Sequence, residues 1–354
     1  MRTYFFAGAN SGSGFQNLFP ELVDLEDTYD MMILKGGPGV GKNTLMQGVS
    51  KALEQAGTNV EYIWCSGDPA SLDGVVFPQI HCAIVDGTAP HVVEPKYPAA
   101  VDRYVDLGQF YDLNGAKHIA QAVKSQTKVY QKAYAQACHS LQMARRVELE
   151  GVAAAESFLD QDQLRQQVHE ILTQEFQQQG RETGTVQKRF LGTITHQGYV
   201  WRFNTVKALC PKVYEWVDSW EQAGSALAQL CAAAGERGWN SIACMAPEEP
   251  ERMEHLLIPG LGLAFLTAKP GMQYGEIPYR RIQLDSVELP EGYTKFLTNQ
   301  ADMAHLLRQE AVQALKEAKR GHDVLEEMLH PYVNFEGVQA LTALETKRFL
   351  SYLK

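Results

Sequence analysis

The feature that most constrains this chain is an internal repeat. Phe190 to Tyr199 (FLGTITHQGY) follows the pattern of Phe6 to Phe15 (FAGANSGSGF) at a shift of 184 residues. Gly238 to Lys269 follows Gly57 to Thr88 without a gap at a shift of 181. Inside that block Gly57/Gly238, Asn59/Asn240, Pro69/Pro250, Pro78/Pro259 and Ala83/Ala264 are identical. Asp68/Glu249, Asp73/Glu254 and Val75-Val76-Phe77/Leu256-Leu257-Ile258 are like for like. Gly115/Gly292 then opens a helical section in each copy at a shift of 177. The identities are few, but strand, helix and proline positions are kept while the shift drifts in small ordered steps. Two copies of one unit follow, and 354 residues suffice for two cores.

Within the first copy, Met31-Met32-Ile33-Leu34 reads as a short buried strand. It leads into Gly36-Gly37-Pro38-Gly39-Val40-Gly41-Lys42-Asn43-Thr44, and a helical pattern follows with Leu45, Met46, Val49, Ala52 and Leu53. Strand, glycine-rich turn and helix form the context of a phosphate-binding loop, G-x-x-x-x-G-K-[ST]. The glycines let successive backbone N–H groups face one anion, and the helix adds its positive end. Gly37, Pro38, Gly39, Val40, Gly41, Lys42, Asn43 and Thr44 are the expected nucleotide-binding residues, with Lys42 reaching the β- and γ-phosphates. Asn43 stands where the motif has the hydroxyl that holds Mg²⁺. Its amide oxygen can still ligate the ion, so Asn43 and Asp86 are the expected metal ligands.

Val60 to Cys65 and Ile80 to Asp86 read as further strands, and Thr3 to Ala9 as the first. Asp68 to Asp73 reads as a short helix start with an acidic cap. Strands alternating with helices indicate a parallel sheet that collects ligands at its carboxyl ends. Ala116 to about Arg146 runs without Pro or Gly at helical spacing, and a second helix covers Asp162 to Phe176. Gly180 to Thr185 reads as a linker. The expected fold is therefore α/β: two tandem P-loop NTPase-like parallel-sheet domains, residues 1–182 and 187–354, each with a long helical arm. The second is degenerate. Carried across at 181, the glycine loop falls on Val217 to Ser225, with Ala223 in place of Lys42 and Thr267 in place of Asp86.

Lys42 and Asp86 are the expected catalytic pair. Asp86 ends an apolar strand, where a carboxylate supports Mg²⁺ through water; the alternative is a cap on the turn Gly87-Thr88. Asp68 and Asp73 could face a phosphoryl acceptor, but the second copy keeps both acids after losing the loop, which favours a structural role. His91 lies just past Asp86 and could contact phosphate, while His81 reads as a structural strand residue. Lys35, Arg103, Arg145 and Arg146 are candidates for extra positive charge. The stripe Lys117, Lys124, Lys128, Lys132 suits an exposed helix face.

With net charge −10, 45% hydrophobic and 21% charged residues, extended nucleic-acid and anionic-membrane surfaces are not expected. The six cysteines show no C-x-x-C pair, no stretch has the length and apolarity of a membrane span, and a cytoplasmic location with reduced thiols is expected.

The stretches FFAGANSGSGF, LKGGPGVGKNTLM, CSGDPASLDGVVFP, AIVDGTAPH with VDLGQF, and HLLIPGLGLAFLTA resemble a bacterial family of tandem-duplicated P-loop proteins. Its members are described only as ATPases or nucleotide kinases. The resemblance spans essentially the whole chain and implies ATP and Mg²⁺ as ligands. The chain departs from the family at Asn43 and in its erased second loop. The expectation is an ATP-binding protein with slow ATPase activity at one site in the N-terminal half. A small-molecule or nucleotide kinase, and a non-enzymatic scaffold whose arms bind a protein partner, remain as alternatives.

Overall fold

The computed structural model describes all residues except 157, 159, 160, 177–182, 273, 286–289 and 354. The first half runs β1 (Arg2–Phe5), β2 (Gly8–Ser11), β3 (Gly14–Asn17), β4 (Asp30–Lys35), α1 (Lys42–Gln55), β5 (Val60–Trp64), β6 (Leu72–Phe77), β7 (Cys82–Asp86) and β8 (Asp102–Asp106). Its helices α2 (Leu113–Ala116), α3 (Ala120–Glu156) and α4 (Gln161–Glu175) follow. The second half runs β9 (Val186–Arg189), β10 (Gly192–Thr195), β11 (Gly198–Trp201), α5 (Asn204–Leu209), β12 (Lys212–Val217), α6 (Ala223–Glu236), β13 (Ser241–Ala246), β14 (Glu249–Ile258), β15 (Leu263–Ala268) and β16 (Arg280–Gln283). It closes with α7 (Glu291–Leu329) and α8 (Phe335–Ser351).

The two halves repeat one topology. The first sheet is ordered β1-β5-β6-β7-β4-β8 and the second β9-β13-β14-β15-β12-β16. Each is parallel except for one inserted antiparallel strand, β6 or β14. Register is kept as well: Leu34 pairs with Asp86, and the equivalent Trp216 pairs with Thr267. The central strands are buried along their whole length, as expected of a sheet covered on both faces. On α1, Leu45, Met46, Val49 and Leu53 fall on one face and are fully buried. Each such side chain contributes about 1.5–3 kcal/mol. That face fixes the direction in which the glycine loop leaves β4.

The first expected strand divides. Phe6 leaves the sheet after β1 and exchanges both backbone hydrogen bonds with Phe190, its counterpart 184 residues on, at 2.9 Å each. Equivalent residues meeting each other place a pseudo-twofold axis there. Around it, one apolar core holds Phe5, Phe6, Met31 and Ile33 together with Phe190, Leu191, Val213 and Leu266.

The long arms α3 and α7 pack antiparallel, with Gln126 Nε2 donating to Gly321 O and Gln300 Nε2 to Glu150 Oε2. Their following helices are exchanged. Leu164, Val168 and Ile171 of α4 join the core of the second sheet, while Val338 and Phe349 of α8 join that of the first. The end of the expected first domain, at 182, and part of the expected linker lie outside the described residues. Asp68–Ser71 is a turn rather than a helix start: Ser71 N–H donates to Asp68 O and Ala70 N–H to Asp68 Oδ1, and β6 then pairs on both edges. His81 is not in a strand either. It is exposed in the left-handed region (φ 52°) ahead of β7 and contacts Asp27.

Candidate functional site

The glycine loop, Gly36–Gly41, joins the carboxyl end of β4 to the first residue of α1. Asp86 ends the neighbouring parallel strand β7, so both lie at the sheet edge where ligands of parallel α/β sheets collect. Gly39 (φ 73°) and Gly41 (φ 98°) occupy the left-handed region that glycine alone enters freely. Gly41 is the N-cap of α1 and offers no side chain to the helix head. Among the described hydrogen bonds, none uses the N–H groups of Gly39 to Thr44.

Lys42 folds back over this turn. Its Nζ donates to Gly36 O (2.7 Å) and Gly37 O (3.0 Å) and lies 3.5 Å from Asp86 Oδ2. Asp86 Oδ1 accepts from Thr88 N–H (2.8 Å), so the turn-capping role is present and the second oxygen still faces Lys42. Thr88 Oγ1 donates to Gly36 O, tying the two strand ends together. Asn43 and Thr44 go elsewhere. Asn43 Oδ1 accepts from Leu72 N–H and from Gln47 Nε2, both at 3.1 Å, which pins β6 to α1. The amide oxygen expected at a metal is engaged there, and Thr44 is exposed.

Two residues of uncertain role in the sequence join Asp86. Asp73, His91 and Asp86 are all buried, and one potential ligand atom from each lies within 4.8 Å of the others. His91 Nε2 is 3.0 Å from Asp73 Oδ2. Burial opposes a charge on His91, but the Asp73 and Asp86 carboxylates outweigh it and raise its pKa. Phe15 and Phe19 close on the ring edge-to-face, at 5.1 and 5.0 Å. Lys35 is taken by Gly87 O, Val93 O and Glu94, Arg103 by Asp30 and Glu345, and Arg145 by Glu221 and Glu249; Arg146 is exposed. Lys117, Lys124, Lys128 and Lys132 are exposed.

Residues remote in sequence cover the loop. Tyr111 Oη donates to Pro38 O (2.7 Å). A Cβ on Gly39 would stand 2.8 Å from His330 Nε2, and one on Gly41 3.0 Å from Val338 Cγ1. Nothing local in the sequence announces these contacts, because His330 and Val338 come from the other copy. Two open clefts, of about 530 and 620 Å³, lie away from the loop, one lined by Lys269 and Arg281 and one by Tyr29 and Tyr352.

The second copy shows what replaces the site. Its loop, 218–222, is one residue shorter than 36–41. The buried Asp218 carboxylate accepts from Gln222 N–H (2.9 Å) and Ala223 N–H (2.8 Å) at the head of α6. An internal carboxylate thus sits where the first copy's amides have no acceptor among the described residues. Glu254, the counterpart of Asp73, meets Lys269 Nζ at 3.0 Å, and Glu221 meets the same ammonium at 3.3 Å. Burial works against that ammonium, but Glu254 and Glu221 outweigh it and raise its pKa.

No family model, no curated protein and no solved structure matches this chain, so no family assignment follows from comparison. Among the described residues, no helix is long and apolar enough to cross a membrane.

Proposed function

We propose that this is a P-loop nucleotide-binding protein of the tandem-duplicated kind that its sequence resembles. It would have one ATP site in the N-terminal half and slow, divalent-ion-dependent ATPase activity. The observation that carries the reading is the contrast between the two helix heads. In the second copy a built-in carboxylate satisfies the first amides of α6. In the first copy the matching amides have no acceptor among the described residues, and a lysine stands over them. A phosphate group supplies there what Asp218 supplies in the second copy.

In this reading, Gly37 and Gly39 to Thr44 grip the phosphates through backbone N–H groups, Pro38 having none to give. Lys42 exchanges two loop carbonyls for β- and γ-oxygens, and Asp86 supports the divalent ion, Mg²⁺ in the simplest case. Catalysis in such sites is positioning plus charge neutralisation. The covering residues His330, Val338 and Tyr111 therefore set how readily nucleotide enters. That cover favours a second reading, a nucleotide-controlled scaffold, since the arm that would signal to a partner is the one that touches the loop.

Titration of a nucleotide panel with and without Mg²⁺ tests the reading. Wild type is expected to bind ATP, and Lys42→Ala to lose at least about tenfold in affinity through the lost charged contacts. Equal affinity in both proteins would remove the site assignment. Binding without turnover would select the scaffold.

A further inference from the structure

We infer that Asp73, Asp86 and His91 form a binding site for a first-row transition-metal dication such as Mn²⁺ or Co²⁺, distinct from an all-oxygen magnesium site. The first observation is the cluster itself. Two carboxylates and an imidazole present ligand atoms within 4.8 Å of each other, from three separate segments at one sheet edge. The second is the state of its atoms. Among the described residues, buried Asp73 Oδ2 has no partner of good hydrogen-bond geometry, although it lies 3.0 Å from His91 Nε2. The Asp73 side chain is only 6% exposed and the His91 side chain 10%. A buried carboxylate oxygen that meets an imidazole at 3.0 Å without hydrogen-bond geometry is incompletely satisfied, and a dication held by both groups satisfies it better. The spacing suits one: two ligands each about 2.1 Å from a six-coordinate ion and at right angles stand about 3.0 Å apart.

The third observation comes from the other half. The counterpart of Asp73 is kept as Glu254, while Asp86 becomes Thr267 and His91 becomes Met272. Thr88 becomes Lys269, whose ammonium lies against Glu254. The copy that lost two of the three ligands gained a covalent cation in the same place. A lysine in place of a dication is the change expected where a buried acid is retained and still needs a close positive charge. The nitrogen donor decides the class of metal. Imidazole with carboxylates suits Mn²⁺, Fe²⁺, Co²⁺ or Zn²⁺, whereas Mg²⁺ takes oxygen. The site abuts the glycine loop, since Lys42 Nζ is 3.5 Å from Asp86 Oδ2. What the metal does for a bound phosphate rests on the proposed function; whether it binds does not.

The test uses the full chain, stripped with chelator and free of nucleotide. Mn²⁺ titration is expected to give one site per chain, with Mg²⁺ at least about tenfold weaker. His91→Ala and Asp73→Asn are each expected to weaken Mn²⁺ by at least about tenfold. Pulsed EPR of the Mn²⁺-loaded wild type is expected to show coupling to a coordinated nitrogen, which needs no variant to fold. Absence of a stoichiometric site, or a bound Mn²⁺ without nitrogen coupling, would overturn the inference. In that case Asp73–His91 and Asp86–Lys42 are self-contained ion pairs. ATP binding that survives such a failure leaves the proposed function standing; metal binding without ATP binding overturns only the latter.

Discussion

Asn43 shows how one residue can change the chemistry expected of a motif. Its side chain is longer than the serine or threonine of the usual loop, and it reaches the N–H of Leu72, a buried residue, instead of turning toward Asp86. Asn43→Ser therefore removes a structural acceptor as well as restoring the motif. It is expected to lower stability by about 1–3 kcal/mol, the cost of an unmet buried donor, read as a drop in the denaturant midpoint. An unchanged midpoint would mean that the Leu72 bond carries nothing. The loop, Lys42 and Asp86 were legible in the sequence because glycines, lysine and a strand-terminal acid are local signals. Asp73 and His91 were noticed without their connection, since 18 residues separate them and only the sheet brings them together. The gain of Lys269 opposite Glu254 was the available clue.

At the scale of elements, the repeat made two α/β units with long arms legible, but not the strand order or the antiparallel strand inserted in each sheet, where an all-parallel sheet was expected. The exchange of α4 and α8 was not legible either. Both helices carry an ordinary apolar stripe, and a stripe does not say which sheet it covers. Phe349 is fully buried against Phe77, at 5.6 Å between rings, and Ile171 is fully buried in the second core. Phe349→Ala is expected to cost about 3–5 kcal/mol and Ile171→Ala about 2–5 kcal/mol. The exchange predicts where each loss appears. By hydrogen exchange, Phe349→Ala should loosen α1 and β6 in the first half, and Ile171→Ala should loosen α6 and β12 in the second. Loosening of the half that contains the mutated residue would contradict the packing.

For the whole molecule, the halves are joined by a shared core, by the arms and by charge. Arg189 is buried and pairs with Glu61 across the interface at 2.7 Å. Arg145, on the first arm, holds Glu221 of the second half through two hydrogen bonds at 2.7 and 2.9 Å. Burial opposes ionisation of Glu221, but the Arg145 hydrogen bonds, with Lys269 and Arg252, outweigh it and bring its pKa down to about 2. A depressed carboxylate pKa adds stability above its unfolded value of 4.5, and this is lost as the pH falls toward about 2. The contribution is on the order of 3 kcal/mol at neutral pH. The stability gap between wild type and Glu221→Gln, from urea unfolding, should narrow between about pH 5 and about pH 3; a constant gap would show that this network does not join the halves. His330 and Val338 of the second half lie against Gly39 and Gly41 of the loop, and in the proposed function the second copy serves the first as a cover. Amide hydrogen exchange with and without saturating ATP and a divalent ion tests that division of roles most directly. The account predicts slowed exchange across 36–44 and no change across 218–225. Unchanged exchange at 36–44, or protection that appears at 218–225 instead, would contradict it.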